Sequence, residues 1–430
     1  MLAALAAAGT HSGACAWRWL RVQGAAVKHL SGLEAVDRDA ERLSILLMSL
    51  PALESLSVAK LERAPRCTSP ADTAYLLAGS ARAIGRCPCL LRLKLDIMLD
   101  SRKDLLPDTF GRDLAGARTL EGLEVAVRCG GVDNLDISPP ARISRLVAGL
   151  AGLSRLRALT LELQLIRMDA PLPACLSRLA QLTSLRLSGF HGLRCAPGWA
   201  RLPSLRSLRV DKCSFAANGE VALPGMDALT ALTGLELVRS PGLLVFPAGI
   251  VVMRRLKHLD LSYGGFEHLP EDVSVLTALE ELRLGWYPGS FEELRHGLYD
   301  GHSYNGLPCI GGSLDARALG SLACFPRLRR LSFYNCCVLF CPSIQAAAVH
   351  PCLERLRLHS SYPACGPSWL AFLNFVGSLL QQGRPDALDL RECNIRGTGE
   401  QDCSSFCAAL QAMGVPRDKV YAHGYLCDDD

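Results

Sequence analysis

The sequence has 430 residues, of which 49% are apolar and 20% are charged, and its formal net charge is +4. This composition excludes a disordered chain and is sufficient for a large core. The nearly balanced charge gives no indication of a nucleic-acid or membrane partner, and no apolar run reaches the roughly 18 residues that a membrane-spanning helix needs.

The first 49 residues carry two patterns. The opening segment MLAALAAAGTHSG is apolar but lacks the basic residues of a signal peptide, and it predicts the start of a helix. The segment CAWRWLRVQGAAVKHL, with Trp17 and Trp19, resembles the second half of an F-box, although the Leu-Pro opening of that motif is absent. We interpret residues 1–49 as an N-terminal helical cap, with a weak F-box-like remnant as the alternative.

Between residues 50 and 395 the pattern L-x-x-L-x-L recurs in about twelve units. The units begin at Leu53, Leu90, Leu120, Leu156, Leu182, Leu205, Leu232, Leu256, Leu279, Leu328 and Leu353, and a degenerate copy, PDALDL, begins at Pro385. Self-similarity at spacings of 20 to 50 residues is the signature of a repeat protein.

Alternation of side chains along an extended segment explains the pattern. The fourth and sixth positions of each unit point the same way, into a core, and the positions between them point outward. One such strand cannot bury its apolar side alone, so we predict that the units stack as parallel strands with a shared leucine core.

The segments that return the chain between strands are expected to differ. The first three spacings are 37, 30 and 36 residues, which leaves room for helices at 72–86 and 142–150. Later returns pass through an apolar residue and proline, which favours an irregular segment. These dipeptides are Leu172-Pro173, Leu223-Pro224, Phe246-Pro247 and Leu269-Pro270.

Two further segments interrupt or end the repeats. The spacing from Leu279 to Leu328 is 49 residues and includes GLYDGHSYNGLPCIGG, whose turn-forming residues predict an inserted loop near 286–312. Residues 396–430 are predicted to form a C-terminal cap helix, ending near Met413, and an acidic tail.

Twelve coherent units resemble the leucine-rich repeat family, and residues 156–284 resemble its Leu-Pro form, familiar from intracellular plant and algal proteins. The resemblance implies an α/β solenoid with a curved parallel sheet on the concave face and helical or irregular convex returns. The turn asparagine of the family is mostly missing, so irregular turns are expected. The residues in that position are Phe190, Cys213, Ser240, Gly264, Tyr287, Cys336 and Cys393.

The 19 cysteines are odd in number and irregularly spaced, which favours free thiols in a reducing compartment over a disulfide framework. The densest stretch, YNCCVLFCPSIQAAAVHPC, lacks the paired spacing of a zinc site, and we interpret its cysteines as structural. Motifs of phosphate-binding loops, serine hydrolases and zinc proteases are absent from the sequence. We therefore predict no cofactor, no metal and no catalytic site.

One sector of the predicted sheet has an unusual set of outward residues, rich in aromatic and arginine side chains. This is the composition of the anchors of protein interfaces. The candidate partner-binding residues are His258, Asp260, Tyr263, Glu281, Arg283, Trp286, Arg330, Tyr334, Asn335, Arg355, Arg357 and His359. The alternative interpretation is an ordinary solvated sheet face.

The sequence therefore predicts a non-catalytic scaffold that binds a protein, of unknown identity, on its concave face. An alternative is a substrate-recognition subunit of a ubiquitin ligase, with a Skp1-type adaptor as partner if the F-box interpretation holds. A third is an enzyme or metal protein built on the cysteine-rich stretch. The expected location is the cytoplasm, with the ciliary axoneme and cytoskeleton as the alternative.

Overall fold

The computed structural model describes the repeats and much of their connections. The described residues are 26–34, 40–61, 70–99, 106–129, 146–167, 174–191, 202–213, 226–240, 246–264, 269–286, 313–315, 325–334, 337–339, 352–359, 362–363, 372–374, 376–377, 388–392 and 408–415. The chain divides into two compact units, residues 1–207 with 224–229 and residues 208–223 with 230–430.

In the first unit six parallel strands are hydrogen-bonded in chain order. They are β1 (His29–Glu34), β2 (Ser55–Leu61), β3 (Arg92–Leu99), β4 (Gly122–Cys129), β5 (Ala158–Arg167) and β6 (Ser184–His191). The returns contain α1 (Ala40–Met48), α2 (Pro70–Gly85), α3 (Phe110–Leu114), a helical segment at 146–150, and 3-10 helices at Ala174–Arg178 and Met226–Ala228.

The second unit also consists mainly of parallel strands. Its main strands are β7 (Ser207–Asp211), β8 (Gly234–Val238), β9 (His258–Gly264), β10 (Glu281–Trp286), β12 (Arg330–Tyr334), β14 (Arg355–His359) and β16 (Leu388–Glu392), hydrogen-bonded in that order. A small second sheet consists of β11 (Ser313–Asp315), β13 (Cys337–Leu339) and β15 (Tyr362–Pro363).

Each predicted unit supplies one main strand, β2 to β10, β12, β14 or β16, so the leucine-rich repeat fold class is confirmed. Wherever a unit's side chains are described, the residues at its first, fourth and sixth positions are at most 3% exposed. Burial of a leucine side chain stabilises the fold by about 2 kcal/mol. We refer to the opposite side of the sheet, where the variable residues lie, as the outer face.

Backbone hydrogen bonds join successive units at one repeated position. The carbonyl of Lys257, the second residue of its unit, accepts the N–H groups of Glu280 at 2.8 Å and Glu281 at 2.9 Å. Eight further units have the same pair of hydrogen bonds, accepted by the carbonyls of Glu54, Leu91, Glu121, Arg157, Thr183, Thr233, Glu280 and Arg329. Only backbone atoms take part, so this connection places no demand on the side chains at these positions.

The first strand lies within residues 1–49, for which a helical cap is expected from the sequence. β1 pairs with β2 in parallel, and the carbonyl of Lys28 accepts the N–H groups of Glu54 and Ser55. The register is irregular between Leu30 and Leu33, because one extra residue separates these two buried leucines. The inserted residue changes L-x-L to L-x-x-L, so a search for the repeat pattern does not find this strand.

The returns largely agree with the expected change from helical to irregular segments. α2 covers nearly all of the predicted helix 72–86, and 146–150 lies within the predicted helix 142–150. Pro247 and Pro270 each precede a 3-10 helix, Ala248–Val252 and Glu271–Val275, rather than an irregular loop. The proline φ values of −67° and −69° are those that the ring imposes.

Parts of the remaining predictions lie outside the described residues. These are the inserted loop at 287–312, the acidic tail, the first two Leu-Pro dipeptides and the residues before 26. Of the cap helix, residues 408–412 are described and are helical. Within the described residues, no helix has the length and apolarity needed to cross a membrane.

Cys87, Cys89, Cys213 and Cys352 are free thiols. Cys87 and Cys213 are buried, and Cys89 is exposed. Burial raises the pKa of the Cys87 thiol to about 11. In the part of the chain that is described, His, Cys, Asp and Glu side chains form no group of three that could hold a metal ion.

We expect Gly111→Ala to destabilise the first unit. A Cβ atom on Gly111 would lie 2.2 Å from the carbonyl oxygen of Leu146, because α3 and the next helical segment meet backbone to backbone. The free energy of unfolding should fall by about 1–3 kcal/mol, measured by urea denaturation. Gly122→Ala is the matched control, because its Cβ would meet only the Arg92 side chain at 3.7 Å. Equal midpoints for the two variants would contradict the close helix contact.

We expect Cys89, but not Cys87, to react with iodoacetamide in the native protein at pH 8. With a pKa of about 11, Cys87 is almost entirely the unreactive neutral thiol at pH 8, and burial also restricts access of the reagent. Peptide mapping by mass spectrometry gives the extent of alkylation, and urea-unfolded protein is the control in which both should react. If native Cys87 reacts as fast as Cys89, the segment around residue 87 is accessible to the reagent and Cys87 is not buried in solution.

Candidate functional site

The residues predicted to bind a partner lie on neighbouring strands of the second unit, β9, β10, β12 and β14. The side chains that the structure describes are those of His258, Asp260, Tyr263, Glu281, Arg283, Arg330, Tyr334, Arg355 and Arg357. For Trp286 and His359 only the backbone is described, at the ends of β10 and β14, and Asn335 lies outside the described residues.

The register of the parallel strands aligns these residues in two rows. One row is His258, Glu281, Arg330 and Arg355, and the other is Asp260, Arg283, Ser332 and Arg357. Neighbouring strands are about 4.8 Å apart, so each side chain is within reach of the next in its row. The described residues of these two rows therefore lie close together, and their role in partner binding stays a prediction.

Glu281 is the centre of a charge network on the outer face. Its Oε1 accepts a hydrogen bond from Nε of Arg283 at 2.7 Å. Its Oε2 lies 2.8 Å from Nη2 of Arg330 and 3.4 Å from Nδ1 of His258. These side chains cover the carboxylate, which leaves Glu281 buried although it points away from the leucine core.

Asp260 is held in a similar way one row further along the strands. The backbone N–H and the hydroxyl of Ser262 donate to its Oδ1, the former at 3.0 Å, and Nη1 of Arg283 lies 3.3 Å from its Oδ2. Partial burial lowers the pKa of Arg283, but the hydrogen bond and charge of Glu281 and the charge of Asp260 outweigh burial and raise it. Arg283 therefore stays charged and joins the two carboxylates.

A residue with left-handed backbone recurs near the ends of four strands, β6 to β9. Gly189, Lys212, Arg239 and Tyr263 have φ values of 79°, 52°, 49° and 61°, and each lies two residues after the sixth position of its unit. The N–H of Lys212 donates to the carbonyl of Val238, and that of Arg239 to the carbonyl of Ser262. The turns are thus more regular than expected, since this backbone conformation replaces the missing asparagine.

At two of these strands, the side chain of the residue after the left-handed one bonds to a backbone carbonyl of the same turn. The thiol of Cys213 lies 3.2 Å from the carbonyl oxygen of Asp211, and the hydroxyl of Ser240 donates to the carbonyl of Val238 at 3.1 Å. Both side chains are fully buried. Small polar side chains that bond to their own turn account for Cys and Ser in place of Asn.

The left-handed position also places Arg239, which the sequence analysis missed. Its Nε and Nη2 donate to the two carboxylate oxygens of Asp211 at 2.9 and 2.7 Å, and Nη2 of Arg209 lies 3.5 Å from the same carboxylate. The Asp211 side chain is only 3% exposed. The signal that would have indicated Arg239 is its position, equivalent to Gly189 and Tyr263 in other units.

Tyr263 and Tyr334 meet although strand β10 separates their strands. The ring centroids are 5.9 Å apart with an interplanar angle of 42°, a favourable tilted aromatic pair. Gly285 on β10 lies between them, and a Cβ there would be 2.6 Å from the carbonyl oxygen of Tyr334 and 3.1 Å from the N atom of Tyr263. Any side chain at position 285 would separate the two tyrosines.

The tyrosine pair is partly buried and has arginines beside it. Burial raises the pKa of the Tyr263 hydroxyl, Tyr334 and Asp260 raise it further, and the charges of Arg239 and Arg357 oppose the increase. The hydroxyl is therefore protonated at neutral pH and remains a hydrogen-bond donor. Among the described outer-face side chains of both units, Tyr263 and Tyr334 are the aromatic ones.

These residues present a rigid surface of tyrosines, guanidiniums and covered carboxylates. Such a surface can stack on, hydrogen-bond to and pair with groups of another molecule.

Comparisons with known proteins concern the fold. No protein-family model matches the sequence, and no curated protein matches it. Many solved structures are similar to the chain, and three of them follow. The chain has the leucine-rich repeat fold.

The first similar structure is a leucine-rich repeat protein of Leptospira interrogans, with 16% identity and a TM-score of 0.40, over 84% of this chain and 97% of that one. The second is an internalin of Listeria monocytogenes, with 14% identity and a TM-score of 0.43, over 78% and 85%. The third is the plant peptide hormone receptor RGFR1 in complex with RGF2, with 13% identity and a TM-score of 0.38, over 74% and 53%. The fold assignment rests on the strand order and leucine core of this chain.

We expect Arg239→Ala to destabilise the second unit by about 1–3 kcal/mol, because it leaves the buried Asp211 carboxylate without its two-point partner. Arg329→Ala is the matched control, since Arg329 pairs with Glu354 where both side chains are about 60% exposed and such pairs contribute about 0–1 kcal/mol. Urea denaturation at low and high salt measures both. A loss for Arg239→Ala no larger than for Arg329→Ala would contradict a structural role for the Asp211 pair.

Proposed function

We propose that the chain is a non-catalytic scaffold that binds a protein partner through the outer face of β9, β10, β12 and β14. The observation that carries the proposal is the Tyr263–Tyr334 pair, which is assembled from two non-adjacent strands over Gly285. Tyrosine offers a large amphipathic contact surface with little conformational entropy to lose, and it is enriched among the residues that dominate interface energies.

The backbone conformation of Tyr263 supports a role for its side chain. A non-glycine residue at a φ of 61° is less stable than glycine would be there, by about 1 kcal/mol. Glycine would avoid this strain, and it occupies the equivalent position of another unit, Gly189. We take the retained tyrosine as support for a binding function, since the turn itself needs no side chain.

The charge network supports the same proposal by fixing the surroundings of the pair. Arg283 and Arg330 are held by Glu281, and Arg283 also by Asp260, at 2.7 to 3.3 Å. Side chains already fixed before binding lose less entropy when a partner arrives. The proposed binding residues are those predicted from the sequence, together with Arg239 and Gly285.

The alternative of an F-box-like substrate receptor stays a prediction. The segment CAWRWLRVQGAAVKHL begins outside the described residues, and its last two residues, His29 and Leu30, belong to β1 rather than to a helix. A cytoplasmic location, with the axoneme as alternative, is likewise a proposal. It is supported by the free thiols among the described cysteines.

To test the binding face, the immobilised full chain is compared with a Tyr263→Asn, Tyr334→Ala double variant for retention of proteins from a cell extract. Asparagine is chosen because it tolerates the left-handed backbone. Each interface anchor contributes about 2 kcal/mol, so retention of the specific partner should fall at least roughly 30-fold, measured by quantitative mass spectrometry.

The control is Tyr75→Ala, which removes a tyrosine that is 77% exposed on α2 of the first unit. Circular dichroism establishes that all variants are folded. The proposal is wrong if the double variant retains the same proteins as the native chain, or if the native chain retains no protein more than the double variant does.

A further inference from the structure

The outer face of the second unit is divided by charge. From β7 to β10 its described carboxylates each have a guanidinium partner: Asp211 has Arg239, Glu236 has Arg209, and Asp260 and Glu281 have Arg283. Lys212 adds one exposed positive charge. The four basic side chains, Arg209, Lys212, Arg239 and Arg283, therefore equal the four carboxylates in number. This part of the face is neutral and its charges are engaged with one another.

The next two strands carry basic residues alone. The outward charged side chains described on β12 and β14 are Arg330, Arg355 and Arg357, with no carboxylate among them. Arg330 shares Glu281 with Arg283 and His258. Arg355 is exposed and forms no ion pair with a described residue. Even with Asp389, which the register places next to Arg357 on β16, the positive charges are in excess.

The positive patch adjoins the tyrosine pair. On β12 Tyr334 lies two residues after Ser332, the residue that pairs with Arg357 of β14. The charge of Arg357 also lowers the pKa of the Tyr263 hydroxyl. At about 3.3 Å per residue, Arg355 and Arg357 are roughly 7 Å apart along β14, and Arg330 and Tyr334 roughly 13 Å apart along β12. The patch and the tyrosines together have the length of four or five extended residues.

We propose that the patch of Arg330, Arg355 and Arg357 binds an acidic segment of a partner protein, with an apolar or aromatic residue of that segment on the Tyr263–Tyr334 pair. The inference deepens the proposed function by assigning the chemistry of its partner. Guanidiniums form two-point hydrogen bonds with carboxylates, and the tyrosine rings supply the apolar contact.

The shape of the patch favours an acidic peptide over a nucleic acid. Nucleic-acid binding requires basic groups along a longer track of phosphates. Here the basic residues occupy two strands, about 5 Å apart. The carboxylate of Glu281 lies next to Arg330 in the register, and that of Asp260 lies one strand further across the sheet. A phosphate backbone running across the strands would meet those carboxylates, whereas a short acidic segment along β12 and β14 would not.

Fluorescence anisotropy with the full chain tests the inference. The probe is a labelled peptide of five glutamates followed by tryptophan, and its neutral partner has five glutamines in place of the glutamates. The glutamate peptide should bind at least tenfold more tightly than the glutamine peptide, and its affinity should fall as salt is raised from 50 to 300 mM, values chosen to span weak to strong screening (Debye length about 14 to 6 Å). Arg355→Glu with Arg357→Glu should weaken the binding at least tenfold.

The matched control is Arg254→Glu with Arg255→Glu, which makes the same change in net charge at two exposed residues in the turn before β9. This control should leave the peptide affinity within about twofold. Equal loss in both double variants, or equal binding of both peptides, overturns the inference. Tighter binding of single-stranded oligothymidylate than of the glutamate peptide also overturns it, in favour of a nucleic acid.

Failure of this inference and failure of the proposed function can be told apart. If the Arg355 and Arg357 reversal leaves peptide binding unchanged while the Tyr263 and Tyr334 variant loses its retained protein, the face binds a protein that is not acidic. If neither variant changes any retained protein, the outer face is not the binding site and both proposals fail.

Discussion

In nine of the repeat units one backbone carbonyl accepts two N–H groups of the next unit, and the arrangement of the sheet depends on this connection. The acceptor, such as Lys257, lies between the leucine that starts the unit and the strand that follows. The first leucine is anchored from the other side, because the N–H of Leu256 donates to the carbonyl of Met253 at 2.9 Å. Main-chain hydrogen bonds and buried leucines therefore fix each strand, and the side chains between the leucines are unconstrained by the fold.

This freedom explains how a functional surface can occupy a repeat without weakening it. Glu281 and Asp260 are buried on the outer face, yet they are covered by neighbouring side chains and not by the core. A buried carboxylate is costly unless it is paired and hydrogen-bonded, and each of these has both kinds of partner. The network consequently belongs to the surface of β9, β10 and β12, and its arginines are held at fixed positions relative to the tyrosines.

The sequence was sufficient for the repeat and for the rows of outward residues, because both follow from the two-residue period of a strand. It missed β1, where one inserted residue between Leu30 and Leu33 hides the pattern. It also missed the small sheet of β11, β13 and β15, whose strands of two or three residues carry no detectable periodicity. The contact between Tyr263 and Tyr334 depends on a glycine in a third strand, and such three-strand relations are not visible in one segment.

The left-handed turn has a consequence for protein engineering. Lys212, Arg239 and Tyr263 occupy a conformation that glycine or asparagine adopts more readily, so a consensus-based stabilisation of the repeats would replace all three. At Lys212, which is exposed, such a change would cost nothing that the structure shows. At Arg239 and Tyr263 it would relax the backbone while removing the Asp211 pair and the aromatic contact. Stabilisation of the array would therefore have to spare Arg239 and Tyr263, and could relieve backbone strain at Lys212 alone.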